Sequence, residues 1–340
     1  MESYRAIALQ TKCFAVNRCR NKTEADEVVK RTIARLDKLI SGSIAFIGFD
    51  TKLVVLPEYF LTGFPMGESI EQWRDKACLE IDGEIYGLLS GIAQKHRIFL
   101  SGNGYELDPH FPELYFQTSF VIAPNGDVVL RYRRLVSMFA PTPHDVWDKY
   151  LDIYGVEAVF PVARTEIGNL ACIASEEILY PEIARCLAIR GAEIFCHSSS
   201  EVYGMENTPK NVAKLARAYE NSAYVVSANS GGLADISIPE NSTDGGSKIV
   251  DFKGLIIAET AQGESINAFA EIDPEALRRH RRRPGMANIL ARQRFELFAS
   301  SYSENSFYPA NTLLNKKAER GHFVETQKLT IERLSDAGII

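Results

Sequence analysis

Three side chains that could take part in catalysis each follow an apolar segment, the place where α/β proteins commonly carry functional groups. They are Glu58, Arg134 and Ser175. Glu58 comes directly after Leu-Val-Val-Leu-Pro, and a carboxylate at the end of a buried strand is costly unless it is exposed, paired or used. This position suits a general acid or base, and it equally suits a helix cap or a salt-bridge partner.

Arg134 ends a basic strand. Side chains alternate along residues 128–134, so Arg134 lies on the opposite face of the strand from Arg131 and Arg133. One face can border a cleft while the other meets solvent, and a plain basic edge strand is the alternative interpretation.

Ser175 lies between an apolar segment and a helix. Residues 170–182 read Leu-Ala-Cys-Ile-Ala-Ser-Glu-Glu-Ile-Leu-Tyr-Pro-Glu, which predicts a strand, a tight acidic turn and a helix that starts at Pro181. A turn of this kind presents a nucleophile at the end of a sheet, near the N–H donors of the helix terminus. A serine before two glutamates is also an ordinary helix cap.

The elements that carry these residues alternate between strands and helices. The continuous apolar run at residues 53–56 predicts a strand buried on both faces, and residues 22–41 have helical spacing. Pro-Asn-Gly-Asp and Asp-Phe-Lys-Gly predict two hairpin turns, whereas residues 137–153 predict a long ordered loop. We expect an α/β sandwich, with one domain over residues 1–273 and an extension over residues 274–340.

The composition excludes several classes of protein. The chain has 340 residues, 46% of them hydrophobic, which is enough for a sizeable core. A net charge of −6 argues against a dedicated nucleic-acid binder, and no apolar run approaches the roughly eighteen residues of a membrane span. Six cysteines without metal-type spacing, and a start that lacks a secretory signal, predict a cytoplasmic protein. Neither a metal site nor a nucleotide cofactor is expected.

Taken together and in order, these motifs resemble the nitrilase or carbon–nitrogen hydrolase superfamily over most of the chain. The matching segments are residues 57–65 (general-base motif), 131–134 (Lys-Tyr-Arg-Lys strand), 175–182 (nucleophile elbow), 217–229 (Arg-Ala-x-Glu-Asn…Asn), 245–254 (Gly-x-Ser…Asp-x-x-Gly) and 308–311 (Pro-x-Asn). The resemblance implies a four-layer αββα sandwich that commonly dimerises through its helices. It also implies chemistry at a carbon–nitrogen bond, as in amidases.

Two positions of the family's Glu, Lys and Cys triad differ in this chain. Glu58 is kept, whereas Arg134 stands at the lysine position and Ser175 at the cysteine position. Cys172 does not replace the thiol, because alternation along the strand points it to the opposite face. A serine hydroxyl is far less acidic than a thiol and usually needs a His or Lys base. Arginine cannot exchange protons at neutral pH.

Three explanations follow from these substitutions. In a diverged enzyme, Glu58 acts as acid or base, Arg134 stabilises an anion and Ser175 is a positioning hydroxyl, so that no thioester forms. In a trapped variant, serine replaces the cysteine of an amidase, but this leaves Arg134 unexplained. In a catalytically inactive scaffold or binding protein, the fold is kept without the reaction. We expect the first, acting on a small polar molecule that bears an amide or a carboxylate.

The predicted substrate-binding residues flank the triad positions. They are Tyr59, His144, Glu176, His197, Ser198, Ser199 and Glu201. The family lines its pocket with the residues that follow the strand at 194–196, and a solvated turn is the alternative for that segment. His144 lies on the long loop, and either His144 or His197 could also approach Ser175 as a base.

The C-terminal part is expected to serve assembly. Residues 278–283 (Arg-Arg-His-Arg-Arg-Arg) suit a subunit contact or a solvated helix face better than nucleic acid, because no aromatic residues are interleaved. Tails of this family often cross to a neighbouring subunit, so the resemblance implies that residues 274–340 form an oligomer contact arm. We therefore expect a homo-oligomer, a dimer or larger, with a small-molecule substrate and no nucleic-acid or membrane partner.

Overall fold

The computed structural model describes residues 2–202, 204 and 208–340. The strands are β1 (Tyr4–Ala8), β2 (Cys13–Phe14), β3 (Thr51–Val55), β4 (Phe99–Leu107), β5 (Tyr115–Ile122), β6 (Val128–Arg133), β7 (Ala163–Thr165), β8 (Gly168–Ala174), β9 (Ile194–Ser198), β10 (Tyr224–Ala228), β11 (Leu233–Ala234), β12 (Lys248–Val250), β13 (Ile256–Glu259) and β14 (Phe269–Ile272). The helices are α1 (Lys22–Ile47), α2 (Ile70–Ala77), α3 (Glu84–His96), α4 (Trp147–Tyr154), α5 (Pro181–Ile189), α6 (Pro209–Asn221), α7 (Pro274–Arg282), α8 (Glu296–Ser303) and α9 (Arg320–Asp336).

In the described part of the chain, two six-stranded sheets form the centre of the molecule. The first has the order β14-β1-β3-β4-β5-β6, with β1, β3 and β4 parallel. The second has the order β13-β12-β10-β9-β8-β7, with β8, β9 and β10 parallel. Parallel neighbours place their carboxyl ends at one edge of a sheet, where functional residues commonly gather.

The two sheets pack on each other, and helices cover their outer faces. One core joins α1 and α3 to the first sheet and includes Leu36 and Val54. The other lies between the sheets and extends under α5 and α6, with Leu53, Phe195 and Leu187 among its members. Val54 and its neighbour Leu53 face different cores, as the period of a strand requires. This four-layer αββα sandwich confirms the fold class expected from the sequence.

Helix α1 shows how the sequence forms the outer layer. Asn21 caps its first turn by accepting a hydrogen bond from the Glu24 N–H, and Gly48 ends it. Val29 and Leu36 belong to the buried stripe that packs on the first sheet. Burial of one such side chain is worth about 1.5–3 kcal/mol, so Leu36→Ala would remove much of the contact. The helix runs six residues beyond the predicted end at residue 41.

The segment at residues 137–153 differs from the predicted long loop, because its second half is helical. Thr142 and Asp145 form a capping box, Pro143 occupies the first turn, and α4 follows. Tyr150 of α4 is buried in the first core, which gives the helix a tertiary anchor. The capping box and Pro143 therefore start a helix although the composition of this segment is typical of a loop.

The C-terminal region packs on its own chain. Leu277 of α7 is buried in the second core, directly after the boundary expected at residue 273. Farther on, Thr312 Oγ1 donates to Asp145 Oδ1 at 2.9 Å and Phe323 of α9 is buried in the first core. A contact with a neighbouring subunit stays a prediction. No helix among residues 2–202, 204 and 208–340 is long and apolar enough to cross a membrane.

Candidate active site

Ser175 occupies a strained turn between β8 and the start of α5. Its φ of +49° is in the left-handed region, which L-residues adopt at a cost of roughly 1–2 kcal/mol and which is frequent at active sites. The Ser175 carbonyl accepts a hydrogen bond of 2.8 Å from His197 Nε2. The turn is therefore fixed through its backbone, and the hydroxyl is left for other contacts.

His197 supports this turn as a neutral ring. A carbonyl can only accept, so Nε2 carries the proton and Nδ1 accepts from Ser227 Oγ at 2.8 Å. Burial, with a smaller contribution from the charge of Lys214, lowers the pKa of His197 to about 3. Both ring nitrogens are occupied, so His197 is not placed to act as the base of the Ser175 hydroxyl.

Glu58 lies three residues after the end of β3, a central strand, in a buried hydrogen-bond network. Its backbone N–H donates to the Ser199 carbonyl, which joins the ends of β3 and β9. Its Oε1 accepts from Gln117 Nε2 at 2.8 Å and from the Arg134 guanidinium at 3.4 Å. Its other oxygen, Oε2, has no hydrogen-bond partner among the described residues. One carboxylate oxygen is thus held in place and the other remains for a proton or a ligand.

Arg134 binds several protein acceptors. Its Nε donates to the Val136 carbonyl and its Nη1 to Gln117 Oε1, each at 2.7 Å, while Nη2 pairs with Glu176. Burial alone would lower the pKa of Arg134, but the charge of Glu58 and its neighbours raises it, so the guanidinium stays cationic. Its geometry is that of a fixed positive charge that orients Glu58.

Glu177 ties the Ser175 turn to the end of β6. Its carboxylate accepts hydrogen bonds from Tyr132 Oη at 2.8 Å and from the backbone N–H groups of Leu135 and Val136. Complete burial raises the pKa of Glu177 to about 7. The two segments that carry Arg134 and Ser175 are therefore joined by a buried acid.

A cavity of about 600 Å³ brings the three predicted catalytic residues together. Its lining includes Glu58, Tyr59, Phe64, Met66, Gln117, Arg134, Phe139, Ser175, Glu176 and Lys210. Burial and the charge of Glu58 raise the pKa of Tyr59, so its phenol stays protonated. A larger cavity of about 1120 Å³ lies elsewhere, against Arg131 and Arg133, and none of the three catalytic candidates lines it.

Lys210 is the most informative residue that the sequence analysis missed. It lies in the first turn of α6, which Thr208 caps, and its Nζ donates to Ser175 Oγ at 3.1 Å. Gln117 of β5 was missed as well, although it bridges Glu58 and Arg134. Neither residue belongs to a motif beside the catalytic candidates, so only the folded topology could reveal them.

Several predicted substrate-binding residues support the site from outside the cavity lining. The His144 ring lies against Trp147 and Tyr308, and burial lowers its pKa. Ser198 Oγ donates to the Leu56 carbonyl at 2.8 Å because the end of β9 packs against the end of β3. Only Tyr59 and Glu176 of the predicted binding set line the cavity.

Ser199 and Glu201 also lie outside the cavity lining, and the buried Ser199 Oγ has no hydrogen-bond partner among the described residues. Glu201 is paired with Lys214, which is completely buried, and burial lowers the pKa of Lys214 to about 8. Cys172 lies in the core between the sheets, where burial raises its pKa, and it is not part of the cavity lining. The described residues contain no cluster of three or more His, Cys, Asp or Glu side chains that could hold a metal ion.

Comparison with known proteins identifies the family. The family described as carbon–nitrogen hydrolase matches residues 26–282, which is most of the chain. The chain belongs to the carbon–nitrogen hydrolase family. This confirms the resemblance expected from the sequence motifs, and the match includes the positions of Glu58, Arg134 and Ser175.

Individual members of the carbon–nitrogen hydrolase family are distant relatives of this chain. Omega-amidase NIT3 of Saccharomyces cerevisiae is 25% identical over 253 residues, which cover 74% of this chain and 83% of that protein. Deaminated glutathione amidase of Synechocystis is 25% identical over 286 residues, or 83% of this chain and 96% of the relative.

Solved structures of the family share the fold. Saccharomyces cerevisiae Nit3 superposes with a TM-score of 0.62 at 23% identity, covering 82% of this chain and 93% of the other. A carbon–nitrogen hydrolase of Helicobacter pylori gives a TM-score of 0.66 at 21% identity, covering 88% of this chain and 99% of the other. At these identities the comparison supports the αββα sandwich and says nothing of the substrate.

Proposed function

We propose that this carbon–nitrogen hydrolase family member cleaves the amide of a small polar molecule without forming a thioester. Two of its relatives are an omega-amidase and a deaminated glutathione amidase, which favours an amide as the bond that reacts. The resemblance places Ser175 at the family's cysteine position, so the proposed chemistry depends on a carboxylate, a guanidinium and a hydroxyl.

The observation that carries the proposal is the shared cavity of Glu58 and Ser175. Its volume of about 600 Å³ is in the range of small-molecule sites, and charged groups converge on it from several strands and loops. Phe64, Met66 and Phe139 supply apolar walls. A small molecule with one polar reacting group and a short apolar body fits this lining.

Glu58 is the proposed acid and base. Gln117 and Arg134 orient Oε1, so the unpartnered Oε2 is the oxygen that can accept an N–H or O–H proton from a bound molecule. A buried acceptor without a hydrogen bond costs free energy, and this favours a ligand that supplies a donor. The amide nitrogen of a substrate, or the water that attacks it, is such a donor.

The experiment compares the wild-type protein with Glu58→Gln on a panel of primary amides of short mono- and dicarboxylic acids, with released ammonia as the readout. We expect turnover of at least one amide, and a loss of about 100-fold or more in Glu58→Gln because the acid–base group is gone. Glu157→Gln, at an exposed position, serves as the matched control and keeps full activity. The proposal would be contradicted if Glu58→Gln released ammonia at the wild-type rate, or if the wild-type protein hydrolysed none of the amides.

A second candidate is a binding protein without catalysis. Ser175 and Arg134 favour it, because the resemblance places them at the cysteine and lysine positions of the triad, and arginine cannot exchange protons at neutral pH. In that case an amide from the panel would raise the thermal midpoint of the wild-type protein while no ammonia appeared.

We also propose that the chain forms a homo-oligomer in solution. Ile189 of α5 and Val212 and Tyr219 of α6 are exposed apolar side chains on the outer layer of the sandwich. A second copy of the chain that covered these helices would remove this surface from water. Light scattering coupled to size-exclusion chromatography measures the mass, and a purely monomeric protein at micromolar concentration would contradict the proposal.

A further inference from the structure

We propose that Lys210 is the base of Ser175, and that the two residues form a serine–lysine pair in which Ser175 is the nucleophile. The inference deepens the proposed function and rests on it. It assigns Ser175 a covalent role and places its proton acceptor on α6. The motifs that resemble the carbon–nitrogen hydrolase family instead place the lysine of its triad at the end of β6, where this chain has Arg134.

The geometry of the pair is that of a nucleophile in contact with its base. Lys210 Nζ lies 3.1 Å from Ser175 Oγ, within hydrogen-bond reach, and both residues line the cavity. When the amine is neutral, the hydrogen bond can run from the hydroxyl to the nitrogen lone pair. The strained turn at Ser175 and the His197 hydrogen bond to its carbonyl hold the backbone from which the Oγ atom extends.

Among the described residues, Lys210 is the titratable group that makes a hydrogen bond to the Ser175 hydroxyl, and the unpartnered Glu58 Oε2 makes none. His197 uses both ring nitrogens, and Arg134 keeps its proton at any working pH. Glu58 Oε1 accepts from Gln117 and Arg134. Within residues 2–202, 204 and 208–340, the Ser175 hydroxyl is the hydrogen-bond partner that the structure gives Lys210.

The charges around Lys210 leave it available for this role. Among the described residues, His197, Glu201 and Lys214 are titratable groups that interact with it. Lys214 lies one turn later on α6 and is ion-paired with Glu201, so these two charges compensate each other beside Lys210. The carboxylate is therefore bound to the second lysine, and the first remains in contact with Ser175.

The reaction balances with these groups and water alone. The Ser175 proton moves to neutral Lys210 as Oγ bonds to the amide carbon and the carbonyl electron pair moves to oxygen. Collapse breaks the carbon–nitrogen bond, and ammonia leaves with the proton from Lys210, which gives a serine ester. Water then adds to the ester while Glu58 Oε2 takes its proton, and the ester bond breaks as that proton returns to Oγ. The products are a carboxylic acid and ammonia.

The test uses a fluorophosphonate, which forms a bond between phosphorus and an activated serine oxygen as fluoride leaves. It needs no knowledge of the substrate. We expect mass spectrometry to find the adduct on Ser175 of the wild-type protein and none in Ser175→Ala. Lys210→Met should slow the labelling by about 100-fold or more, because the proton acceptor is gone. Lys253→Met, at an exposed position outside the site, should label at the wild-type rate.

Lys210→Arg distinguishes a base from a mere positive charge. Arginine keeps the charge and donates hydrogen bonds but cannot accept the proton, so we expect labelling as slow as in Lys210→Met. Labelling of Lys210→Arg at the wild-type rate would overturn the proposal. We also expect added ethylamine to restore labelling of Lys210→Ala in proportion to its concentration, which a merely structural role would not allow. Far-ultraviolet circular dichroism and the thermal midpoint show whether each variant is folded.

The outcomes separate this inference from the proposed function. Absence of an adduct on wild-type Ser175, while amides are still hydrolysed through Glu58, overturns the serine–lysine pair and leaves the proposed function standing. A lysine-dependent adduct in a protein that releases no ammonia supports the pair and removes amides as the substrate class.

Discussion

Arg134 donates to Glu58 across 3.4 Å, so the residue that follows β6 fixes the carboxylate that follows β3. The same guanidinium holds Gln117 and pairs with Glu176, which borders the cavity beside Ser175. Its N–H groups are therefore largely used within the protein. This favours a role in orienting the acid–base group over direct capture of a substrate anion.

Removal of this guanidinium should destabilise the fold as well as the site. Arg134→Met leaves the buried Glu58 carboxylate without its cation, and loss of one partner of a buried ion pair costs about 3–5 kcal/mol. Arg134→Lys keeps the charge but cannot reach all of its acceptors, so we expect a smaller loss of about 1–3 kcal/mol. Urea unfolding measures both values. Arg18→Met, whose exposed side chain pairs with Asp235, is the control and should leave the midpoint unchanged. An equally stable Arg134→Met protein would show that the network is dispensable.

His197 should make the free energy of unfolding of the protein decrease at acidic pH. Its pKa is lowered by burial to about 3 in the folded chain and returns to its usual 6.5 on unfolding. Between these values the unfolded chain binds a proton that the folded chain does not, so stability decreases as the pH falls below 6.5. The contribution is about 1.4 kcal/mol per pH unit.

His197→Gln isolates this contribution, because an amide can donate to the Ser175 carbonyl without titrating. Urea unfolding of both proteins between pH 6.5 and pH 4.5 should give a stability difference that shrinks by about 1 kcal/mol per unit as the pH falls. Glu177, whose pKa is raised by burial to about 7, contributes in the opposite direction, but it does so in both proteins and cancels. Parallel pH profiles would mean that the pKa of His197 is the same in the folded and the unfolded chain.

Ser175→Cys should create a reactive thiol in the cavity. The new thiol would lie beside the Lys210 amine, which can take its proton and so favours thiolate, whereas burial raises the pKa of Cys172 and other core thiols. We expect iodoacetamide to alkylate residue 175 at least about tenfold faster than the fastest of the natural cysteines. Peptide mapping after timed quenching gives the rates, and Ser200→Cys at the same cavity is the comparison.

The same variant tests whether the serine is a trap. A trapped amidase should regain rapid amide hydrolysis and a detectable thioester from Ser175→Cys alone. We expect no such gain, because Arg134 still stands at the lysine position of the triad that the sequence resembles. Activity that appears only when Arg134→Lys is added would support divergence at both positions. Rapid turnover by the single variant would refute it.

The sequence predicted the parts of the site that depend on neighbours along the chain. Glu58 follows a strand buried on both faces, and Ser175 follows a strand that turns into a proline-started helix; both patterns are local. Lys210 could not be found in this way, because it lies 35 residues from Ser175 and meets it only when α6 packs over the elbow. Gln117 is likewise 59 residues from Glu58.

Other differences between the predicted and the observed structure have physical causes that were partly visible in the sequence. The capping box of Thr142 and Asp145 could have indicated that a helix follows, but the prolines and aromatic residues around it favoured a loop. The local sequence does not indicate whether the side chains of Ser198 and Ser199 face the cavity. Whether a residue at the end of β9 faces the cavity or the adjacent strand depends on the register between two sheets, which one sequence does not specify.

The C-terminal region should control the shape of the cavity from a distance. Phe323 of α9 is buried in the first core, and on the same helix Arg320 NH1 donates to the Phe139 carbonyl at 2.8 Å. Phe139 lines the cavity, so α9 is linked to it through one short segment. Phe323→Ala should cost about 3–5 kcal/mol where the core cannot collapse around the lost ring.

The same substitution should affect binding more than chemistry. A loosened segment at Phe139 changes the cavity wall but leaves Glu58 and Ser175 in place, so KM should rise while kcat stays within about threefold. Leu329→Ala on the exposed side of α9 is the matched control and should change neither stability nor KM. Urea unfolding and ammonia-release kinetics measure the two effects. A destabilised Phe323→Ala enzyme with an unchanged KM would show that α9 supports the fold without shaping the cavity.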